Sequence, residues 1–98
     1  MQYTSHVIKS FKSRDTERLF GRCFVKRYSG IERAARISLA VLDAAENLYD
    51  LRVPPSNRLE ALKGGLKGRH SIRINRQWRI CFVWRGNDDH DVEIIDYH

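Results

Sequence analysis

The pair Pro54-Pro55 divides the 98-residue chain into two stretches with different hydrophobic periods. Proline cannot continue a helix, and it biases the residue before it toward extended geometry. Upstream, Ala34, Ala35, Leu42, Ala45 and Leu48 fall mostly on one stripe of a helix that Ile37 and Val41 broaden. Ser29 is expected to cap this helix with Glu32 as its capping-box partner, and the helix to end near Asn47, with a further turn at 48–51. A shorter helix is predicted at 16–20, capped by Ser13 or Asp15 and ended near Gly21, after a short strand at 7–11. Downstream of the prolines the period becomes two, predicting strands at 58–62, 71–74, 78–84 and 92–96. Turns are expected at Gly64-Gly65, at 75–77 and at 86–89. The order β-α-α-β-β-β-β implies an α+β fold, with two N-terminal helices on one face of a small, mostly antiparallel sheet. At this length the chain is expected to form one domain, residues 1–98, with 1–6 as a flexible extension.

Alternation along the strands decides which side chains meet. Ile72 and Ile74 face one way and Arg73 the other. Trp78, Ile80, Phe82 and Trp84 share a face, which the helices should cover, and their spacing reads as core rather than as a base-stacking platform. The opposite face is then expected to be open, gathering Arg73 and Arg79, with Glu60 beside them. Charge is also unevenly placed. Residues 52–85 hold nine basic side chains against Glu60 alone, and the acidic residues cluster at 37–51 and 86–98. Most of the basic residues are arginine, whose planar donor fork matches phosphate, so the pattern favours nucleic acid or the ribosome as partner. A solvated basic surface is the alternative.

Several classes are disfavoured. No apolar run approaches the roughly 20 residues of a membrane span, and the first six residues lack the apolar stretch of a signal peptide, so a cytoplasmic location is expected. Cys23 and Cys81 form no CxxC pair and are both expected to be buried. Neither they nor the four histidines show zinc spacing, so no metal and no cofactor is expected. The Gly-rich stretch 63–69 lacks the Gly-Lys-Ser/Thr of a P-loop and serves equally as a plain turn. Glu60 reads either as a salt-bridge partner of the arginines or as a base that removes a 2′-OH proton. Arg79 would steady charge on a phosphorane, and His98 would protonate the leaving 5′ oxygen. The terminal Asp96-Tyr97-His98 could otherwise be a frayed end.

Leu62-Lys63-Gly64, Gly68, His70-Ser71-Ile72-Arg73-Ile74-Asn75, Gln77-Trp78-Arg79-Ile80-Cys81-Phe82 and the final Asp96-Tyr97-His98 together closely resemble the HigB branch of the RelE superfamily. These are toxins of type II toxin–antitoxin systems. The likeness covers residues 7–98, and Asp43-Ala44-Ala45 with Pro54-Pro55 and Asn57-Arg58-Leu59 is similar to the HigB/GraT group. The resemblance implies a RelE-like fold and a ribosome-dependent mRNA interferase that cuts mRNA in the A site of the 70S ribosome. It implies that Arg79 stabilises the transition state and that Asp96, Tyr97 and His98 are functional. It also implies that Lys63, Arg69 and Arg73, with Lys67 and Arg76 of the same basic block, meet mRNA or ribosomal RNA. The implied partner is a HigA-like helix-turn-helix antitoxin. One position departs: some HigB toxins carry a catalytic histidine where this chain has Glu60, although other branches use a glutamate there as general base. A non-catalytic module that blocks translation by occupying the ribosome is the competing reading, since occupancy depends on summed charge rather than on a few atoms.

Overall fold

A computed structural model describes residues 8–66 and 68–97. The expectations placed on residues 1–6, Lys67 and His98 lie outside the described residues. Helix α1 spans Arg14–Phe20 and helix α2 Glu32–Ala44. Strands β1 (Glu60–Ala61), β2 (His70–Arg73), β3 (Trp78–Arg85) and β4 (Asp88–Asp96) form one antiparallel sheet in that order. Both helices line the face carrying Ile72, Ile80, Phe82, Val92 and Ile94. Leu19, Tyr28, Leu39, Leu42 and Leu51 complete a core closed to solvent. The α+β architecture expected from the sequence is the one observed.

Local chemistry sets the helix ends. Of the two caps the sequence offered, Ser13 caps α1 by accepting the Thr16 amide, and Asp15 lies inside the helix. Thr16 is itself buried and accepts the Ile94 amide of β4 at 3.0 Å, so one hydroxyl joins helix to sheet. Helix α2 starts later than expected, with Ile31 rather than Ser29 at its N-cap and no side-chain cap. Ser29 instead closes the preceding turn, its amide donating to the Lys26 carbonyl. The helix ends at Ala44, not Asn47, because Asn47 and Asp50 form a capping box that opens a separate 3₁₀ turn at Leu48–Arg52. Leu39 belongs to the buried stripe with Ala35 and Leu42, whereas Ile37 is 57% exposed and lies off it. Among the described residues no helix is long and apolar enough to cross a membrane.

Other expectations are corrected. Over the described part, residues 8–11, the expected strand is reduced to two single-residue parallel bridges, Ile8 to Asp89 and Phe11 to Val92, and residue 7 lies outside the described residues. The strand at 58–62 shrinks to two residues because Arg58 takes a left-handed conformation (φ 47°) after the turn Pro55–Asn57. Cys81 is buried, but Cys23 is exposed on the connector after α1, following a left-handed Arg22. The last hairpin is tighter than expected: Arg85 pairs with Asp88, leaving a two-residue Gly86-Asn87 loop with both φ values positive, which suits glycine and asparagine. The register then slips between Cys81 and Val83, where β4 carries one extra residue near Asp91 (φ 52°). That bulge reverses the facing of the strand before it. Asp89 therefore lies opposite Trp84 on the core side and is closed to solvent. Neither Asp89 carboxyl oxygen has a hydrogen-bond partner among the described residues. Burial, and then the charges of Asp43 and Asp88, push its carboxyl up to about 8.

Candidate active site

On the sheet face turned away from the core, β1, β2 and β3 bring Glu60, Ser71, Arg73 and Arg79 together. The register sets Glu60 opposite Ser71 and Arg73 opposite Arg79. Like charges directly opposite each other destabilise a sheet, so the Arg73–Arg79 pair is a cost that an anion would relieve. Arg73 donates from Nε to the Asn75 carbonyl at 3.0 Å, a neutral acceptor that leaves its charge in place. The face is not open at Arg79, whose side chain is only 7% exposed. Its Nε donates to Ser71 Oγ at 2.8 Å and its Nη2 to the Arg58 carbonyl at 2.6 Å. The Glu60 carboxylate is 3.9 Å from Nη2.

Tyr97 completes the group. Its amide donates to the Gln77 carbonyl at 2.6 Å, which anchors the chain just past β4. Its ring centroid lies 5.4 Å from the Arg79 guanidinium carbon, and its hydroxyl donates to Glu60 Oε1 at 3.4 Å. Beside them is a hollow of about 310 Å³ lined by Arg58, Arg73, Asn75, Arg76, Arg79 and Tyr97. Four arginines and no carboxylate line it, so it is suited to an anion that several donor forks can grip, as a phosphodiester is. Glu60 borders it as the carboxylate in contact with Arg79, itself 46% exposed and so able to meet substrate. Among the described residues no group of three or more His, Cys, Asp or Glu is placed to hold a metal ion.

Residues 9–98 match the family model described as the RelE-like toxin of the type II toxin–antitoxin system HigB. The chain belongs to this family. The curated Toxin HigB-1 of Vibrio cholerae serotype O1 is 54% identical over 56 residues, which cover 57% of this chain and 59% of that toxin. An uncharacterized protein of Haemophilus influenzae is 33% identical over 79 residues, 81% of this chain and 77% of that protein.

Within this HigB-like chain the sequence-derived candidates divide into groups. Glu60, Arg79 and Tyr97 converge, and Arg73 and Arg76 line the adjoining hollow. Lys63 lies on a neighbouring groove of about 550 Å³ that shares Glu60 and Tyr97. Arg69 is diverted: its Nη2 donates to the Asp91 carbonyl at 2.7 Å and lies 3.8 Å from Glu93, so it braces the β4 bulge. Asp96 pairs with Trp78, on the strand side opposite to Tyr97, and accepts from Gln77 Nε2 at 3.0 Å. The Gln77 bond ties Asp96 to the turn before β3, beside the start of the terminal segment. His98 and Lys67 lie outside the described residues. Sequence reasoning missed Arg58, Ser71 and Asn75 as parts of this site. Ser71 was legible, because it shares parity with Arg73 on β2. Arg58 was not, because it reaches the hollow through a left-handed turn that no periodicity signals.

Proposed function

We propose that the protein is a ribosome-dependent mRNA endonuclease acting in the cytoplasm as the toxin of a type II toxin–antitoxin system. In this reading Glu60 removes the proton of an mRNA 2′-OH, whose oxygen attacks the adjacent phosphorus. Arg79 stabilises the charge that accumulates on the phosphorane oxygens. His98 protonates the departing 5′ oxygen, leaving a 2′,3′-cyclic phosphate. Tyr97 holds Glu60 and covers Arg79, and Asp96 positions the terminal segment. Arg73, Arg76 and Lys63 grip the RNA backbone on either side, with Lys67 and Arg69 contributing charge to the same rim. No step calls on a metal. The partners are the 70S ribosome with its mRNA and a HigA-like helix-turn-helix antitoxin that holds the toxin silent.

The observation that carries this reading is a buried arginine, held 3.9 Å from a half-exposed carboxylate, beside a hollow that four arginines line. A carboxylate acceptor next to a fixed cation is the minimum set for 2′-OH attack without a metal. One observation favours the occupancy reading instead: Glu60 already has partners in Arg79 and Tyr97, as an ordinary ion-paired carboxylate would. Mapping mRNA 5′ ends by primer extension after induction in a bacterial host separates the two. New ends inside translated codons are expected, absent when translation is blocked and absent with Arg79→Ala or His98→Ala. Growth arrest without new ends would establish occupancy and remove the nuclease reading.

A further inference from the structure

We infer that Ser71, acting with the main-chain carbonyl of Arg58, is a positioning residue that holds Arg79 in place through uncharged acceptors. The inference rests on Arg79 being the group that stabilises charge in the proposed cleavage. A guanidinium has five N–H donors. The Nε donor goes to Ser71 Oγ at 2.8 Å, and Nη2 spans the Arg58 carbonyl at 2.6 Å and the Ser71 carbonyl at 3.4 Å. Among the described residues Nη1 has no hydrogen-bond partner, so its two donors remain for a ligand.

The acceptors are uncharged, and this is the functional point. A buried arginine is ordinarily matched by a carboxylate, which cancels its charge. Here both short bonds go to neutral oxygens, and among the described residues the Glu60 carboxylate that pairs with it lies farther away, at 3.9 Å, and is half-exposed. Orientation is thereby separated from neutralisation, and the positive charge stays available to a developing oxyanion. Ser71 is otherwise hard to account for. It is wholly closed to solvent in the middle of a strand, where a β-branched apolar side chain would pack better than a hydroxyl. The register places it between Glu60 on β1 and Cys81 on β3, one diagonal step from Arg79, so its hydroxyl sits where Nε needs an acceptor.

The test uses the full chain on ribosomes programmed with mRNA, comparing Ser71→Ala, Ser71→Thr and Arg79→Ala under single-turnover conditions. Ser71→Ala is expected to slow cleavage at saturating toxin by roughly 10- to 100-fold, with half-saturation unchanged, because misplacement of a catalytic group costs rate rather than binding. Ser71→Thr, which keeps the hydroxyl, is expected to restore most of that loss. In the ribosome-free protein the Arg79 Nε–H resonance should be protected from exchange and should lose that protection in Ser71→Ala. Wild-type cleavage by Ser71→Ala beside an inactive Arg79→Ala would overturn the inference and leave the proposed reaction standing. A loss that appears only in half-saturation, or that threonine does not restore, would overturn it too. Full activity of Arg79→Ala would instead remove the role of Arg79, and this inference with it. Should Ser71→Ala not fold, an Arg79 Nε–H in the wild type that exchanges as fast as that of free arginine overturns the inference alone.

Discussion

Arg79 and Asp89 are both ionisable, both buried, and on adjacent strands, yet the protein treats them in opposite ways. Arg79 lies on the sheet face away from the helices, and neutral oxygens satisfy it. Asp89 lies on the core face, reversed there by the β4 bulge, with no partner for its carboxyl oxygens among the described residues. A buried charge that is solvated by fixed dipoles survives burial, and one that is not gives up its charge by shifting its pKa. Arg79 is therefore held by neutral oxygens beside the hollow, whereas burial pushes the Asp89 carboxyl up to about 8. Burial alone does not distinguish function from packing, but the partners do.

Substitutions break this contrast at different points. Glu60→Gln keeps the shape of the site and removes its base. Cleavage on programmed ribosomes should fall by roughly 10²- to 10⁴-fold while ribosome binding, followed by co-sedimentation, is retained. Arg79→Ala should cost about 10²- to 10³-fold in the same assay, the typical penalty for losing a preorganised charge stabiliser. Asp89→Asn tests the other side. Because folding raises the Asp89 pKa from its ordinary value near 4 to about 8, the folded chain holds a proton that the unfolded chain releases in that window. Wild-type stability from this group is greatest below pH 4 and is lost as pH rises toward 8. Asp89→Asn should flatten that decline and raise stability at pH 8 by about 1–3 kcal/mol in urea melts, with cleavage unaffected. Arg69→Ala should have the smallest effect. It loosens the β4 bulge by about 0.5–1.5 kcal/mol, read as a lower Tm, and leaves cleavage close to wild type. A loss of cleavage as large as that of Arg79→Ala would show that Arg69 acts on the reacting phosphate rather than adding charge to the rim.

Much of the site was legible because strand parity is a local property. Once 71–74 and 78–84 read as strands, Arg73 and Arg79 had to share a face opposite Ile72, Ile80 and Phe82, and the observed pairing bears this out. A cap at Ser13 or Asp15 and a turn opening at Gly86 were legible for the same reason, since each depends on residues a few positions apart. The openness of the polar face was misread: parity gives direction, not depth, and Arg79 and Cys81 are both buried there. Asp89 was misplaced in the turn at 86–89 because nothing near it in sequence announces a bulge two residues later. The bond from Arg69 to the Asp91 carbonyl was not legible either, because its acceptor is 22 residues away.

By itself, the sequence determined the order of the two helices and of the four strands after the prolines, the sidedness of β2 and β3 and the excess of arginine at 52–85. These follow from periodicity, proline and composition, which act over a few residues. Only the tertiary structure decided that Arg79 is held by Ser71 and the Arg58 carbonyl, that Tyr97 folds back over it, and that Asp89 enters the core. Each of these depends on contacts between different elements, from the neighbouring strand for Ser71 to residues about twenty positions away for Arg58 and Tyr97. The conformations that permit them, a left-handed Arg58 and a one-residue slip in β4, leave no pattern in the residues that adopt them.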